Sequence, residues 1–187
     1  MLKRLAVLVL CLLLLVGCTD QDASLAPVLE LRQKLLEGKG CNFSATVTAD
    51  YGEYLHTFVL QCNADGSGDV SFQVIAPDSI SGITGSITQE EGKLTFDNEV
   101  LIFSPLADGL LAPVTAPWVL IHTLRSGYIV SCGETEQGAI VSIDDSYAEN
   151  SMGLEIRLDH QNMPVSAEII WQGRRILSMI IDNFVIL

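Results

Sequence analysis

Apolar and polar residues alternate over 43–49 and again over 54–60, with Tyr51-Gly52 between the two runs. A period of two places every second side chain on one face of a β-strand. The two runs therefore predict an antiparallel hairpin, and Tyr51-Gly52 fits a two-residue loop. In that register the opposed apolar-face pairs are Phe43–Leu60, Ala45–Phe58, Val47–His56 and Ala49–Tyr54.

The same register sets Cys41 directly opposite Cys62, at a non-hydrogen-bonded position. Cα atoms at such positions are about 4.5 Å apart, which is the short end of disulfide geometry. One hypothesis is a cross-strand disulfide that contributes roughly 3 kcal/mol by restricting the unfolded chain. The alternative is two reduced thiols in the core. Cys132 is then the odd thiol and is expected to be buried.

A helical pattern precedes the hairpin. Apolar residues recur at helical spacing between Leu25 and Leu36, Ser24 suits an N-cap, and Gly38 suits a C-cap. We therefore expect a helix over 25–37, with its apolar face on the domain.

A second helix is predicted after Pro117, which suits a first helical turn, and it should end near Gly127. The residues between are apolar almost all round the helix, so it should be largely buried. The rest of the chain has short alternating runs separated by turn residues, which predict these strands: Val70–Val74, Ile80–Thr88, Lys93–Asp97, Glu99–Phe103, Tyr128–Cys132, Ala139–Ile143, Leu154–Asp159, Val165–Trp171 and Arg175–Ile186. The predicted fold is mainly β with helices (α+β). It is one antiparallel meander of about ten strands, with two helices covering one face.

The start of the chain predicts export. Lys3 and Arg4 precede 12 uncharged residues, Leu5–Val16. That run is too short to span a bilayer but suits the core of a signal peptide. It ends in Leu15-Val16-Gly17-Cys18, which resembles the lipobox of bacterial lipoproteins. The resemblance implies cleavage before Cys18 and acyl chains on its sulfur. The predicted segments are a signal peptide (1–17), a lipidated tether (18–24) and one domain (25–187).

The composition narrows the set of partners. The formal net charge is −13 at pH 7, and cleavage would also remove Lys3 and Arg4. Such an acidic surface repels nucleic acid and keeps a protein soluble. The doublet Arg174-Arg175 is the basic exception. It either touches an anionic partner or forms a solvated strand end.

No motif for catalysis or cofactor binding stands out. The chain lacks G-x-S-x-G, H-E-x-x-H and phosphate-binding glycine loops. The segment Asp65–Asp69 resembles the start of a calcium loop, but Ala76 stands where an EF-hand needs Glu. We therefore expect a non-enzymatic protein without a metal or a cofactor.

The chain resembles the lipoprotein-carrier fold of LolA and LolB, and more closely the LolA-like lipoproteins of Gram-positive spore formers. Three stretches carry the likeness: Phe43–Val47; Ala76–Gly85 with Leu94–Asp97; and Leu158-Asp159 with Pro164 and Ile181–Phe184. The resemblance implies a half-open β-barrel whose concave apolar face is covered by helices, and a role in binding. Some clostridial relatives are spore-germination lipoproteins that work with a cell-wall amidase.

The sequence thus predicts a lipid-anchored protein on the extracytoplasmic face of the cell membrane, with an apolar cavity for an acyl chain or a protein partner. The cavity candidates are Phe43, Ala45, Val47, Tyr54, His56, Phe58, Leu60, Val70, Phe72 and Val74, with Trp118, Leu120 and Ile121 as a lid. Tyr54 and His56 would either fix the polar head of a ligand or be satisfied core residues. The alternative function is an interaction module with a filled core that positions an envelope enzyme such as an amidase.

Overall fold

A computed structural model describes residues 20–50, 52, 54–107, 110–148 and 151–187. The predicted signal peptide and the lipidation site Cys18 lie outside this part of the chain, so both stay predictions. Among the described residues, no helix combines the length and the apolarity needed to cross a membrane.

The structure contains two α-helices, α1 (Asp20–Glu37) and α2 (Ala116–Ser126), and short 3-10 turns at Asp78–Ile80 and Pro113–Thr115. The strands are β1 (Gly40–Asp50), β2 (Leu55–Asp65), β3 (Val70–Ala76), β4 (Thr84–Ile87), β5 (Gly92–Phe96), β6 (Glu99–Phe103), β7 (Leu106–Ala107), β8 (Leu110–Leu111), β9 (Tyr128–Thr135), β10 (Gly138–Asp144), β11 (Met152–Leu158), β12 (Pro164–Trp171) and β13 (Arg174–Ile186). Both predicted helices are present, although α1 begins before the predicted residue 25. The predicted strand Ile80–Thr88 is shorter than expected, because Ile80 ends a 3-10 turn and Ser81 and Gly82 form the turn that follows it.

Eleven strands form one antiparallel sheet, in the order β6-β5-β4-β3-β2-β1-β13-β12-β11-β10-β9. It consists of two meanders joined in the middle by β1 and β13, so the first and last strands of the domain are neighbours. Strands β6 and β9 are the two edges, and the sheet forms a half-barrel that stays open between them. The predicted fold class is confirmed: mainly β, antiparallel and covered by helices.

The register of the first hairpin differs from the predicted one by two residues. Phe43 pairs with Cys62, Val47 with Phe58, and Ala49 with His56. Four residues connect β1 to β2 instead of two, and the Asp50 carboxylate accepts the Gly52 amide (2.8 Å) inside this loop. The prediction of a two-residue loop was wrong because a shift of two leaves the same side chains on the apolar face. Alternation alone cannot distinguish the two registers.

The helices lie on the concave side of the sheet and contact each other. α1 contacts α2 and β9, while α2 contacts β2 and β10. Eight of the eleven residues of α2 are buried, as its apolar circumference predicts. α1 contributes three fully buried side chains: Val28, Leu31 and Leu35. The core is therefore the layer between the helices and the concave face of the sheet.

Candidate functional site: the concave face of the sheet

Concave-face residues form rows that cross the strands. One row runs Phe43, Cys62, Phe72, Gly85, Leu94 and Leu101 from β1 to β6, each residue pairing with the next. The exposed fraction along this row rises from 0% at Phe43 through 4% at Phe72 to 60% at Leu101. The helices thus cover the middle of the sheet and leave its β6 end uncovered.

The uncovered end is mainly apolar, with Glu99 opposite Phe96 at its margin. On β5 and β6 the concave-side Phe96 is 53% exposed and Leu101 is 60% exposed. Three half-buried apolar residues beside them pack against the core: Ile83, Leu94 and Phe103. We call this surface, with Phe96 and Leu101, the open apolar end. It is where the concave face can still accept another apolar group.

Two glycines let phenylalanine rings lie close to the sheet at this end. A Cβ atom on Gly85 would lie 2.5 Å from Cζ of Phe72, and a Cβ on Gly92 would overlap the Phe103 ring. Because glycine carries no side chain, each ring occupies the space above a neighbouring strand. The Phe72 and Phe103 rings therefore form the boundary between the open apolar end and the core.

The structure fills the part of the face that the sequence predicted to be a cavity. Ten of the thirteen candidates are buried: Phe43, Ala45, Val47, Leu60, Val70, Phe72, Val74, Trp118, Leu120 and Ile121. Several have no accessible surface, and a side chain without accessible surface borders no void that could hold a water molecule. At these positions the candidates form the packed core of this structure, and their role in binding a ligand stays a prediction.

The remaining three candidates lie towards the hairpin end of β2. Phe58 is half-buried, Tyr54 is 66% exposed, and His56 is exposed, with its ring stacked on Tyr54 at 6.5 Å between centroids. Alternation places them on the predicted face. They lie at the surface because β3 ends opposite Val59, so this end of β2 has a neighbouring strand on one side only.

Sequence reasoning missed the open apolar end, although a signal was present. Leu94 and Phe96 on one strand, and Leu101 and Phe103 on the next, alternate like the residues of the first hairpin. The alternation predicts the strands. It does not show which part of the face the helices leave uncovered.

The cysteines are also placed differently from the prediction. Cys41 pairs with Ala64 and Cys62 pairs with Phe43, so the two are diagonal neighbours on one face. Both are buried, free thiols. Burial raises the pKa of Cys41 to about 12 and raises the pKa of Cys62 further. The register that suggested a directly opposed disulfide is wrong, and a diagonal disulfide and two reduced thiols are the alternatives that an experiment must separate. Cys132 is half-buried.

The polar motifs have structural explanations. Asp65 organises the β2–β3 turn: its Oδ1 accepts the amides of Ser67 (2.8 Å) and Gly68 (3.0 Å) and the Ser67 hydroxyl (2.6 Å). Arg175 pairs with Glu168 at 2.9 Å on the exposed surface. Within the described ranges, no three His, Cys, Asp or Glu side chains converge on a point where a metal ion would fit.

Comparisons with known proteins show similarity of fold only. No family model matches the chain, and no curated protein matches it. Among solved structures, a putative outer membrane lipoprotein-sorting protein domain from Vibrio parahaemolyticus is 9% identical, with a TM-score of 0.48 over 85% of this chain and 90% of the other. An uncharacterized conserved protein from Thermus thermophilus is 16% identical, with a TM-score of 0.47 over 88% of each chain. A LolA superfamily protein from Nitrosomonas europaea is 9% identical, with a TM-score of 0.44 over 89% of this chain and 93% of the other.

Proposed function

We propose that this protein is a membrane-anchored, extracytoplasmic binding module without catalytic activity, and that its apolar ligand binds at the open apolar end. The observation that carries the proposal is the exposure of Phe96 (53%) and Leu101 (60%) on the concave side of a sheet whose middle is closed. The ligand is an acyl chain or an apolar segment of an envelope protein.

Burial of apolar surface supplies the driving force. Each methylene of an acyl chain that leaves water contributes about 0.8 kcal/mol. A chain lying across β5 and β6 would also remove Phe96 and Leu101 from water, and it would end against Leu94 and Phe103. This geometry suits a shallow groove ligand, since the deeper positions are already occupied by core side chains.

A matched pair of substitutions on β6 tests the proposal. Leu101 lies on the concave side, whereas its neighbour Val100, 50% exposed, lies on the opposite side. Leu101→Lys should weaken binding of a fluorescent acyl probe to the domain at least tenfold, because a charge would be placed in the apolar contact. Val100→Lys adds the same charge to the same strand and should leave binding unchanged.

Two outcomes would contradict an acyl ligand at this position. One is an unmodified protein that neither binds the probe nor retains lipid in native mass spectrometry. The other is equal loss of binding in both lysine variants, which would indicate a non-specific electrostatic effect.

The filled middle of the concave face favours a second function, an interaction module that positions an envelope enzyme such as a cell-wall amidase. The resemblance to germination lipoproteins points to the same class. Under this alternative no lipid co-purifies, and an envelope protein is captured by the unmodified chain and by Val100→Lys but not by Leu101→Lys. Capture that survives both substitutions would place the partner on another surface.

Lipid attachment at Cys18 is the premise for the membrane location. Cys18→Ser should remove the acyl mass and release the protein from the membrane fraction. Cys11→Ser is the control, because Cys11 would be discarded with the signal peptide. Membrane association that persists in Cys18→Ser would contradict the anchor.

A further inference from the structure

A second concavity lies at the opposite edge of the sheet. It has a volume of about 450 Å³, and it is formed where β9 begins, where β10 ends, and by residues 146–148 and Ser151. Its lining includes Tyr128, Val130, Asp144, Ser146, Tyr147 and Ser151. Ligand pockets in proteins have volumes of about 300–1,000 Å³. The cavity is therefore large enough for a small molecule or a long side chain.

Two tyrosine rings form one wall. Tyr128 and Tyr147 pack against each other with their ring centroids 3.5 Å apart and their planes tilted by 38°. Tyr147 is nevertheless 84% exposed and Tyr128 is 39% exposed. Tyrosine faces carry partial negative charge and attract cations that lie within about 6 Å of the ring centre.

A carboxylate lies beside these rings and lacks a cation of its own. Asp144 is half-buried in the cavity wall. In the described part of the chain the ion pairs are Lys34–Glu30 and Arg175–Glu168, and neither involves it. The neighbouring Asp145 has a structural role, because its Oδ1 accepts the amide of Met152 at 2.9 Å. Among the described residues that line the cavity, Asp144 is thus the carboxylate available to a ligand.

We propose that this cavity binds an organic ammonium group, with the nitrogen against the Asp144 carboxylate and its carbon substituents against Tyr128 and Tyr147. The serine hydroxyls at the rim can accept further N–H hydrogen bonds from a primary ammonium. The net charge of −13 attracts cations to the whole surface. The tyrosine pair and the carboxylate select, among those cations, one with an apolar body.

The same chemistry occurs in a free alkylamine and in a lysine side chain of a peptide. Two probes separate these sources: n-butylammonium, and lysine blocked at both its backbone termini. Tighter binding of the blocked lysine would identify a peptide ligand, and equal or weaker binding would identify a free amine. Either result supports an ammonium site.

The test is a titration of the exported domain, followed by the backbone amide signals of Ala148 and Ser151, which line the cavity. Both probes should give saturable shifts, whereas butyrate and n-butanol should give none. Asp144→Asn should weaken binding of n-butylammonium about tenfold, because a charge-assisted contact is lost. Tyr147→Ala should weaken it severalfold.

Glu134→Gln is the matched control, since it removes the same charge from an exposed position on β9 that does not line the cavity. It should leave binding unchanged. Equal weakening in Glu134→Gln and Asp144→Asn would overturn the proposal, as would equal binding of butanol or the absence of saturation up to about 50 mM probe, well above a millimolar dissociation constant. Leu101→Lys should not affect this titration, so failure here is distinguishable from failure of the acyl site.

Discussion

At the residue scale, Gly85 and Gly92 leave the space that two phenylalanine rings occupy at the open apolar end. Gly85→Ala would bring the new Cβ to 2.5 Å from the Phe72 ring and 2.6 Å from the Lys93 carbonyl oxygen. Because ring and strand must both move, we expect a loss of about 1–3 kcal/mol in the free energy of unfolding, measured by urea denaturation.

Gly133→Ala is the control for that substitution. A Cβ on Gly133, also in a strand, would have no neighbour within 4 Å. Its effect should stay within about 0.5 kcal/mol of zero. A similar loss of unfolding free energy in both variants would mean that alanine destabilises any strand glycine here. The contact with the Phe72 ring would then not be the cause.

The buried cysteines give a second residue-scale prediction. Cys41 and Cys62 are each 1% exposed, and burial raises the pKa of both thiols, so neither should be alkylated in the folded protein at pH 8. Their diagonal positions separate the Cα atoms more than a direct pair, which favours reduced thiols over a disulfide.

Alkylation after unfolding without reductant, read by mass spectrometry, decides between the two states. Labels on Cys41, Cys62 and Cys132 are expected. A label on Cys132 alone, with the others labelled only after reduction, would demonstrate the disulfide.

Asp65 gives a pH-dependent prediction. The Ser67 hydroxyl, which donates to the Asp65 carboxylate, is the largest cause that lowers the pKa of this group below its usual 3.8. A lowered folded-state pKa means that the contribution to stability is present above pH 3.8 and is lost as the pH falls through the folded-state value. Carbon-detected NMR titration should find the lowered pKa, and Ser67→Ala should raise it. An unchanged pKa in Ser67→Ala would contradict this assignment.

At the element scale, the two helices cap each other with arginines. Arg32 of α1 donates to the Leu124 (2.6 Å) and Gly127 (2.8 Å) carbonyls at the end of α2. Arg125 of α2 donates to the Leu35 carbonyl at the end of α1 (2.5 Å) and to Gly66 (2.8 Å). The last carbonyls of a helix have no partner inside the helix, and cations near them are stabilised. The arginines therefore hold the helix pair together and orient it on the sheet.

Arg32→Met should lower the free energy of unfolding by about 1.5–3 kcal/mol, because it leaves half-buried carbonyls without donors. Lys34→Met, on the same helix, removes only a solvent-exposed pair with Glu30 (2.7 Å) and should change stability far less than Arg32→Met. Urea denaturation compares the two. Equal effects would show that the helices are oriented by apolar packing alone.

At the scale of the whole molecule, β13 holds two meanders together. It pairs with β1 on one side and with β12 on the other, although β1 and β13 lie at opposite ends of the domain. The sheet therefore becomes continuous only when the final strand has been placed.

Adjacent residues of β13 test this role. Ile181 is 4% exposed and faces the core, whereas Ile180 is 60% exposed on the other face. Ile181→Asp should cost about 4 kcal/mol or more and abolish cooperative unfolding, because it buries an unpaired charge. Ile180→Asp should change stability by about 1 kcal/mol or less. Comparable stability of the two variants would contradict the central position of β13 in the fold.

Local patterns in the sequence determined the two helices, most of the strands and the residues on each strand face. Period-two alternation identifies the face, and Pro117 and Gly127 locate α2 almost to the residue. The sequence pattern could not determine the hairpin register, because a shift of two residues preserves the alternation. The tertiary structure also decided which apolar residues are core and which remain open, since that depends on where the helices end over the sheet. Phe43 and Leu101 each occupy an apolar position in a period-two pattern. Phe43 is buried and Leu101 is exposed, because α1 and α2 cover the middle of the sheet and not its β6 end.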